Sequence, residues 1–199
     1  MTQIDLREAI ESKEALLKRV FYVMVRKGYR RERGDVTYIP INDTLEIQLK
    51  LNIGDLIKDS VVCVFNDLLN RLELSKEEIM EAAFANTQEM FPARLESLFS
   101  ILPIPIECDV PMYVLTNNTR TFGAGAILYS GMKEKIKSVI GEFIVIPSSV
   151  HEVILLPDYL AGPGIVDIIK DVNGTVVSDN EVLSNVPYKL TDDGKLYEV

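Results

Sequence analysis

Phe143-Ile-Val-Ile146 and Val153-Ile-Leu-Leu156 are two apolar, β-branched runs on either side of Pro147-Ser-Ser-Val-His151-Glu152. Runs of that length and composition around a short polar interruption predict two strands joined by a turn. Upstream, Met112-Tyr-Val-Leu-Thr116 and Ala124-Gly-Ala-Ile-Leu-Tyr129 read as two more short strands, with a short helix near Met132 to Val139. Four strands around one helix predict an α+β sheet. Downstream, the pattern predicts a helix over Gly164 to Val172 and a short helix started by Ser178, whose spacing to Glu181 fits a capping box. A last hairpin follows, with Pro187-Tyr-Lys-Leu190 and Lys195-Leu-Tyr-Glu-Val199 flanking Asp193-Gly194.

Towards the N-terminus, Leu6, Ile10, Leu17, Val20, Phe21, Met24 and Val25 recur at roughly helical spacing up to Gly28, which predicts one amphipathic helix. Val36-Thr-Tyr-Ile-Pro-Ile41, the turn residues Asn42-Asp43 and Leu45-Glu-Ile-Gln-Leu-Lys-Leu51 predict a β-hairpin with Leu45, Ile47, Leu49 and Leu51 on one buried face. Leu56 to Leu72 reads as a buried helix, with a strand over Val61-Val-Cys-Val-Phe65 as its rival. Ser75-Lys-Glu-Glu78 is a capping box ahead of a second helix carrying Ile79, Ala82, Ala83 and Met90, its apolar stripe running on to Leu95 and Leu98, with Pro92 breaking or restarting it. Pro103, Pro105 and Pro111 mark an extended connector. The expected organisation is therefore a helical and hairpin region over 1–102 and an α+β region with a small mixed sheet and short helices over 103–199. The two also read as one continuous domain.

The 199 residues are 47% hydrophobic and 26% charged, enough to bury a core. The apolar runs are far shorter than the ~20 residues a spanning helix needs. Asp5, Glu8, Glu11 and Glu14 stand where an export signal needs a basic start, so a cytoplasmic location is the expectation. The net charge of -9 is uneven: of 21 basic and 30 acidic residues, Met1 to Gly34 hold 9 and 5. The acidic remainder repels phosphate backbones, which leaves Arg26, Lys27, Arg30, Arg31 and Arg33 as the one segment suited to nucleic acid or an acidic partner.

Cys63 and Cys108 have neither CxxC spacing nor a neighbouring histidine, and the chain has one histidine in all, so neither a zinc site nor any other metal site is expected. Asp167, Asp171, Asp179 and Glu181 read as solvated helical positions. Phe122-Gly-Ala-Gly125 lacks GxGxxG spacing and a following lysine, so no phosphate loop and no cofactor is expected. What has a catalytic flavour is Ser148, Ser149, His151 and Glu152, which hold a nucleophile, a base and a carboxylate within one turn. A triad needs these groups convergent in space beside an oxyanion hole, and no GxSxG elbow is present. The structural alternative has the serines satisfying backbone groups while His151 bonds across the sheet.

Met112 to Asn117, Gly123 to Tyr129, Ile146-Pro-Ser-Ser-Val-His-Glu-Val-Ile-Leu-Leu-Pro157 and Asp171-Val-Asn-Gly-Thr175, with Ala82-Ala-Phe-Ala-Asn-Thr87 and Pro92 before them, resemble a family of uncharacterised proteins from clostridia and other gut Firmicutes. The resemblance covers Leu74 to Val199, and Pro-Ser-Ser-x-His-Glu is its most specific motif. It implies a shared fold, an accessory or mobile-element setting, and Ser148, Ser149, His151 and Glu152 as the positions of interest. The functional expectation is a non-catalytic accessory protein that binds another macromolecule, a protein partner first. The alternatives are a small hydrolase-like enzyme using His151 with Ser148 or Ser149, and nucleic-acid binding through Arg26 to Arg33.

Overall fold

A computed structural model describes residues 12–29, 34–101, 111–162 and 164–199. It is an α+β structure of two antiparallel sheets. The first sheet contains β1 (Val20–Arg26), β2 (Tyr38–Pro40), β3 (Leu45–Asn52) and β4 (Val61–Cys63). β3 pairs with β1 along one edge, and with β2 and then β4 along the other. The second sheet runs β10-β9-β7-β8-β6-β5, with β5 (Ala93–Ser97), β6 (Tyr113–Asn117), β7 (Phe143–Ser149), β8 (Glu152–Pro157), β9 (Tyr188–Leu190) and β10 (Leu196–Glu198). The described helices are α1 (Lys13–Arg19), α2 (Asn66–Arg71), α3 (Lys76–Met90), α4 (Leu98–Ile101), α5 (Met132–Ile140) and α6 (Ile165–Val176).

The expected helix from Leu6 to Val25 ends at Arg19, and the chain continues as β1; residues 1–11 lie outside the described residues. The physical reason is that Val20 to Val25 are apolar at every position and all buried, which suits a strand covered on both faces better than a one-sided helix. The outer edge of β1 is sealed by α3 instead of a further strand. Thr87 Oγ1 accepts the Tyr22 N–H at 3.0 Å, and Asn86 Nδ2 donates to the carbonyls of Leu17 and Val20, both at 2.8 Å. This gives Asn86-Thr87 a role, because an unpaired strand edge inside a core would leave backbone groups unsatisfied.

Between Leu56 and Leu72 the rival reading holds for Val61–Cys63, which form β4 against Lys50 to Asn52, and the helix is confined to Asn66–Arg71. The capping box at Ser75 is formed in both directions, each bond 3.1 Å. Leu95 does not extend the α3 stripe: after Pro92 the chain enters β5, which pairs with β6. The expected boundary at 102/103 thus falls between two paired strands, and one apolar cluster takes residues from both regions, including Tyr22, Leu49, Ile127 and Val153. Residues 102–110, with Cys108, lie outside the described residues.

Gly123–Leu128 is a 3-10 helix, not a strand. Its two glycines explain this: a Cβ on Gly125 would lie 2.8 Å from Tyr22 Cε2, so the turn presses its backbone directly onto the first sheet. Ser178 to Glu181 form a turn that precedes an isolated pairing of Val182 with Ser149, in place of the expected short helix. The hairpin at Asp193-Gly194 is as expected, with Gly194 at φ 77°.

Gly174 lies within α6 with open space where a Cβ would be, at a φ that L residues adopt. Gly174→Ala is expected to stabilise the protein by about 0.5–1 kcal/mol, by restricting the unfolded chain and favouring helix. A thermal melt checks this through a rise in Tm of about 2–4 °C per kcal/mol.

Candidate functional site

The Pro147–Glu152 turn is held from three sides. Val150 N–H donates to Glu181 O at 2.8 Å, Thr116 Oγ1 donates to His151 O at 2.8 Å, and Ala124 N–H donates to Val150 O at 3.3 Å. Within it, Ser149 Oγ accepts the His151 N–H at 3.1 Å, the local side-chain to backbone bond typical of serine in turns. Ser148 Oγ donates to Asn173 Oδ1 at 3.2 Å, and Asn173 Nδ2 donates to Ser184 O and Asn185 Oδ1, both at 2.9 Å. Both serines are buried. Neither hydroxyl is bonded to the imidazole, so the structure gathers Ser148, Ser149, His151 and Glu152 into one turn without assembling them as nucleophile and base. Glu152 opens β8 opposite Ser149, half-buried.

The imidazole is engaged at both nitrogens. Nδ1 accepts the Phe122 N–H at 3.2 Å, and Nε2 stands 3.3 Å from Glu181 Oε1. A backbone N–H can only donate, so the network places the ring proton on Nε2, directed at Glu181. Glu181, read from sequence as a solvated helical carboxylate, is brought to His151 by the pairing of Val182 with Ser149.

Phe122 joins this turn to the first sheet. Its ring lies 5.8 Å from that of His151 at 30°, and Lys50 Nζ sits over it, 5.1 Å from its centroid. Lys50 is a buried lysine of β3 whose Nζ is also 3.8 Å from Cys63 Sγ. A buried ammonium gains from an aromatic face, which offsets part of its desolvation. Phe122 adopts φ 54° and Arg120 φ 55°, left-handed values uncommon for side chains of this size. Asn117 imposes the bend: its buried side chain accepts Thr119 N–H at 3.0 Å and Thr119 Oγ1 at 2.9 Å, and donates to Thr121 O at 2.9 Å. None of Lys50, Phe122 and Asn117 stood among the candidate site residues, and Phe122 entered only in the Phe122-Gly-Ala-Gly125 run that lacks phosphate-loop spacing. The signal available was Asn117-Asn-Thr followed by Gly123, since asparagine organises turns by bonding its own neighbouring backbone.

The 117–122 loop, through Thr119 and Thr121, forms one wall of a cleft of about 1040 Å³. The opposite walls come from α1 and from the turn between β3 and β4, with Lys18, Arg19, Asp55 and Val61 among the lining. Arg19 grips Asp55 through both guanidinium branches, at 2.5 and 2.8 Å, and this bond holds the Asp55 carboxyl below its usual range. Of the basic segment, Arg26 ends β1 and Lys27 follows it, both exposed; Arg30, Arg31 and Arg33 lie outside the described residues. Among the described residues no three His, Cys, Asp or Glu side chains gather as a metal site would require, and no helix is long and apolar enough to cross a membrane.

These features define a two-sheet α+β protein whose one histidine joins a strained loop to the turn of the second sheet. The chain belongs to DUF5688, a family of unknown function, whose model matches residues 34–191. The match takes in the β2–β3 hairpin and β4, forty residues ahead of the Leu74 start of the resemblance noted from sequence. No curated protein and no solved structure matches the chain.

Proposed function

We propose that the chain is a non-catalytic, cytoplasmic accessory protein that binds another macromolecule, a protein, in the cleft between α1, the β3–β4 turn and the 117–122 loop. The observation that carries this reading is the engagement of both His151 nitrogens by Phe122 and Glu181. An imidazole so placed organises the cleft wall and has no nitrogen left to take a proton from a serine. A cleft of about 1040 Å³ is at the upper end of small-molecule sites and accommodates a chain segment.

Val61 is 40% exposed and lines the cleft, so Val61→Trp blocks it without entering the core. Pull-down from native host extract is expected to retain a partner on the wild-type chain and lose it on Val61→Trp. A partner held equally by both, or none held by either, overturns the reading.

His151→Ala removes the Phe122 acceptor and one face of its ring contact. It is expected to lower stability by about 1–3 kcal/mol, read as a fall of about 2–4 °C in Tm per kcal/mol. The hydrolase reading requires the opposite result, loss of an esterase or peptidase activity at unchanged Tm.

A further inference from the structure

At its inner end the cleft narrows into a pocket of about 140 Å³, walled by Phe21, Phe91 and Phe122 and rimmed by Thr119 and Thr121. Phe21 and Phe91 meet with ring centroids 5.0 Å apart at 57°. An apolar cavity of roughly 150 Å³ admits one benzene molecule, so this pocket is the size of a single ring. The outer cleft is several times larger, and a lone ring leaves it unfilled.

The charges around the junction are matched, with one exception. Lys18 bonds Glu14 at 2.7 Å and Arg19 bonds Asp55 at 2.8 Å. Asp59 lines both the pocket and the cleft, is exposed, and has no ion-pair or hydrogen-bond partner for its carboxylate among the described residues. Among the charged residues that line the cleft and the pocket the surplus is therefore one negative charge, on a chain of net charge -9; the Lys50 ammonium, 5.1 Å from the Phe122 centroid, is buried and lines neither. A group seated there gains from an adjacent cation.

Resting on the docking reading above, we propose that the cleft takes a peptide segment of a partner protein presenting an aromatic side chain next to a lysine or arginine. The ring enters between Phe21, Phe91 and Phe122, and the cation faces Asp59. The flanking peptide runs along α1. The loop is pre-organised by Asn117, so little ordering opposes binding. A buried aromatic anchor in a small pocket is the usual seat of binding energy at such interfaces.

The test is a 1H–15N titration of the full chain with capped tetrapeptides Gly-Phe-Lys-Gly, Gly-Ala-Lys-Gly and Gly-Phe-Glu-Gly. The amides of Thr119, Thr121 and Phe122 are expected to shift and saturate with the first. Loss of the ring is expected to weaken binding about tenfold or more, and reversal of the charge about threefold to tenfold. Asp59 sits at φ 55°, which asparagine tolerates, so Asp59→Asn keeps the turn; it is expected to abolish the preference for lysine over glutamate while leaving ring dependence intact. Equal affinity for the three peptides, no response at 119–122, or an undiminished response in Val61→Trp overturns the proposal. If the tetrapeptides fail while the wild-type chain still captures a partner that Val61→Trp loses, the aromatic and cationic specificity falls and the docking reading stands.

Discussion

Gly123→Ala is expected to destabilise the protein by about 3 kcal/mol or more, the upper range for a single substitution. The position has no positive φ to relieve, so the effect is purely steric. A Cβ would stand 2.3 Å from Thr116 Oγ1, 2.6 Å from Asn117 N and 2.7 Å from His151 O. Two of these are backbone atoms, one at the end of β6 and one in the turn between β7 and β8, and the third is the hydroxyl that donates to His151 O. Relief therefore requires β6 and the 149–151 turn to part, which also breaks the Phe122 to His151 bond. A thermal melt followed by circular dichroism is expected to show a fall of about 6–12 °C, whereas Gly162→Ala, with nothing within 4 Å of its Cβ, stays close to wild type. A Gly123→Ala protein with an unchanged Tm would show that the junction between the sheets is not packed as described.

Tyr22→Ala is expected to cost about 3–5 kcal/mol, as for other large aromatic truncations in a core. Tyr22 is fully buried, with its ring 4.6 Å from Phe84 and 6.4 Å from Tyr129, and its hydroxyl donates to Gly125 O at 2.9 Å. Tyr22→Phe keeps the rings and loses only that donor, at about 1–2 kcal/mol. The tightest neighbour of a Cβ on Gly125 is the Tyr22 ring, so Gly125→Ala is expected to be damaging in the wild type and much milder in Tyr22→Ala. A double-mutant cycle by denaturant unfolding reads this coupling; additivity of the two substitutions would contradict it.

The same burial sets an alkaline limit. It pushes the Tyr129 phenol up to about 12 and that of Tyr22 well above the ordinary range, with Tyr129 adding to the latter shift. Both ionise at about pH 10 once unfolded. Their contribution to stability is therefore fully present below about pH 10 and is lost as the pH rises through the folded values. Absorbance of tyrosinate near 295 nm should report these two phenols only as the protein unfolds, and Tyr22→Phe should make alkaline unfolding less steep.

Local chemistry by itself determined much of this protein. The alternation from Leu45 to Leu51, the capping box at Ser75, the Asp193-Gly194 turn and the paired runs around His151 are each decided within a few residues, so they are legible in order along the chain. The serine of that turn bonding backbone, and the histidine reaching across to another element, were among the readings the residues allowed. Only the tertiary structure decided that Val20 to Val25 form a strand, because a run buried on every side carries no period by which to tell strand from helix. It alone turned Gly123 to Leu128 into a 3-10 helix, because the need for a bare backbone at Gly125 comes from Tyr22, more than a hundred residues away. It alone set Glu181 and Phe122 on His151 and Asp59 at the mouth of an aromatic pocket, because those contacts depend on how two sheets meet and leave no spacing in the sequence.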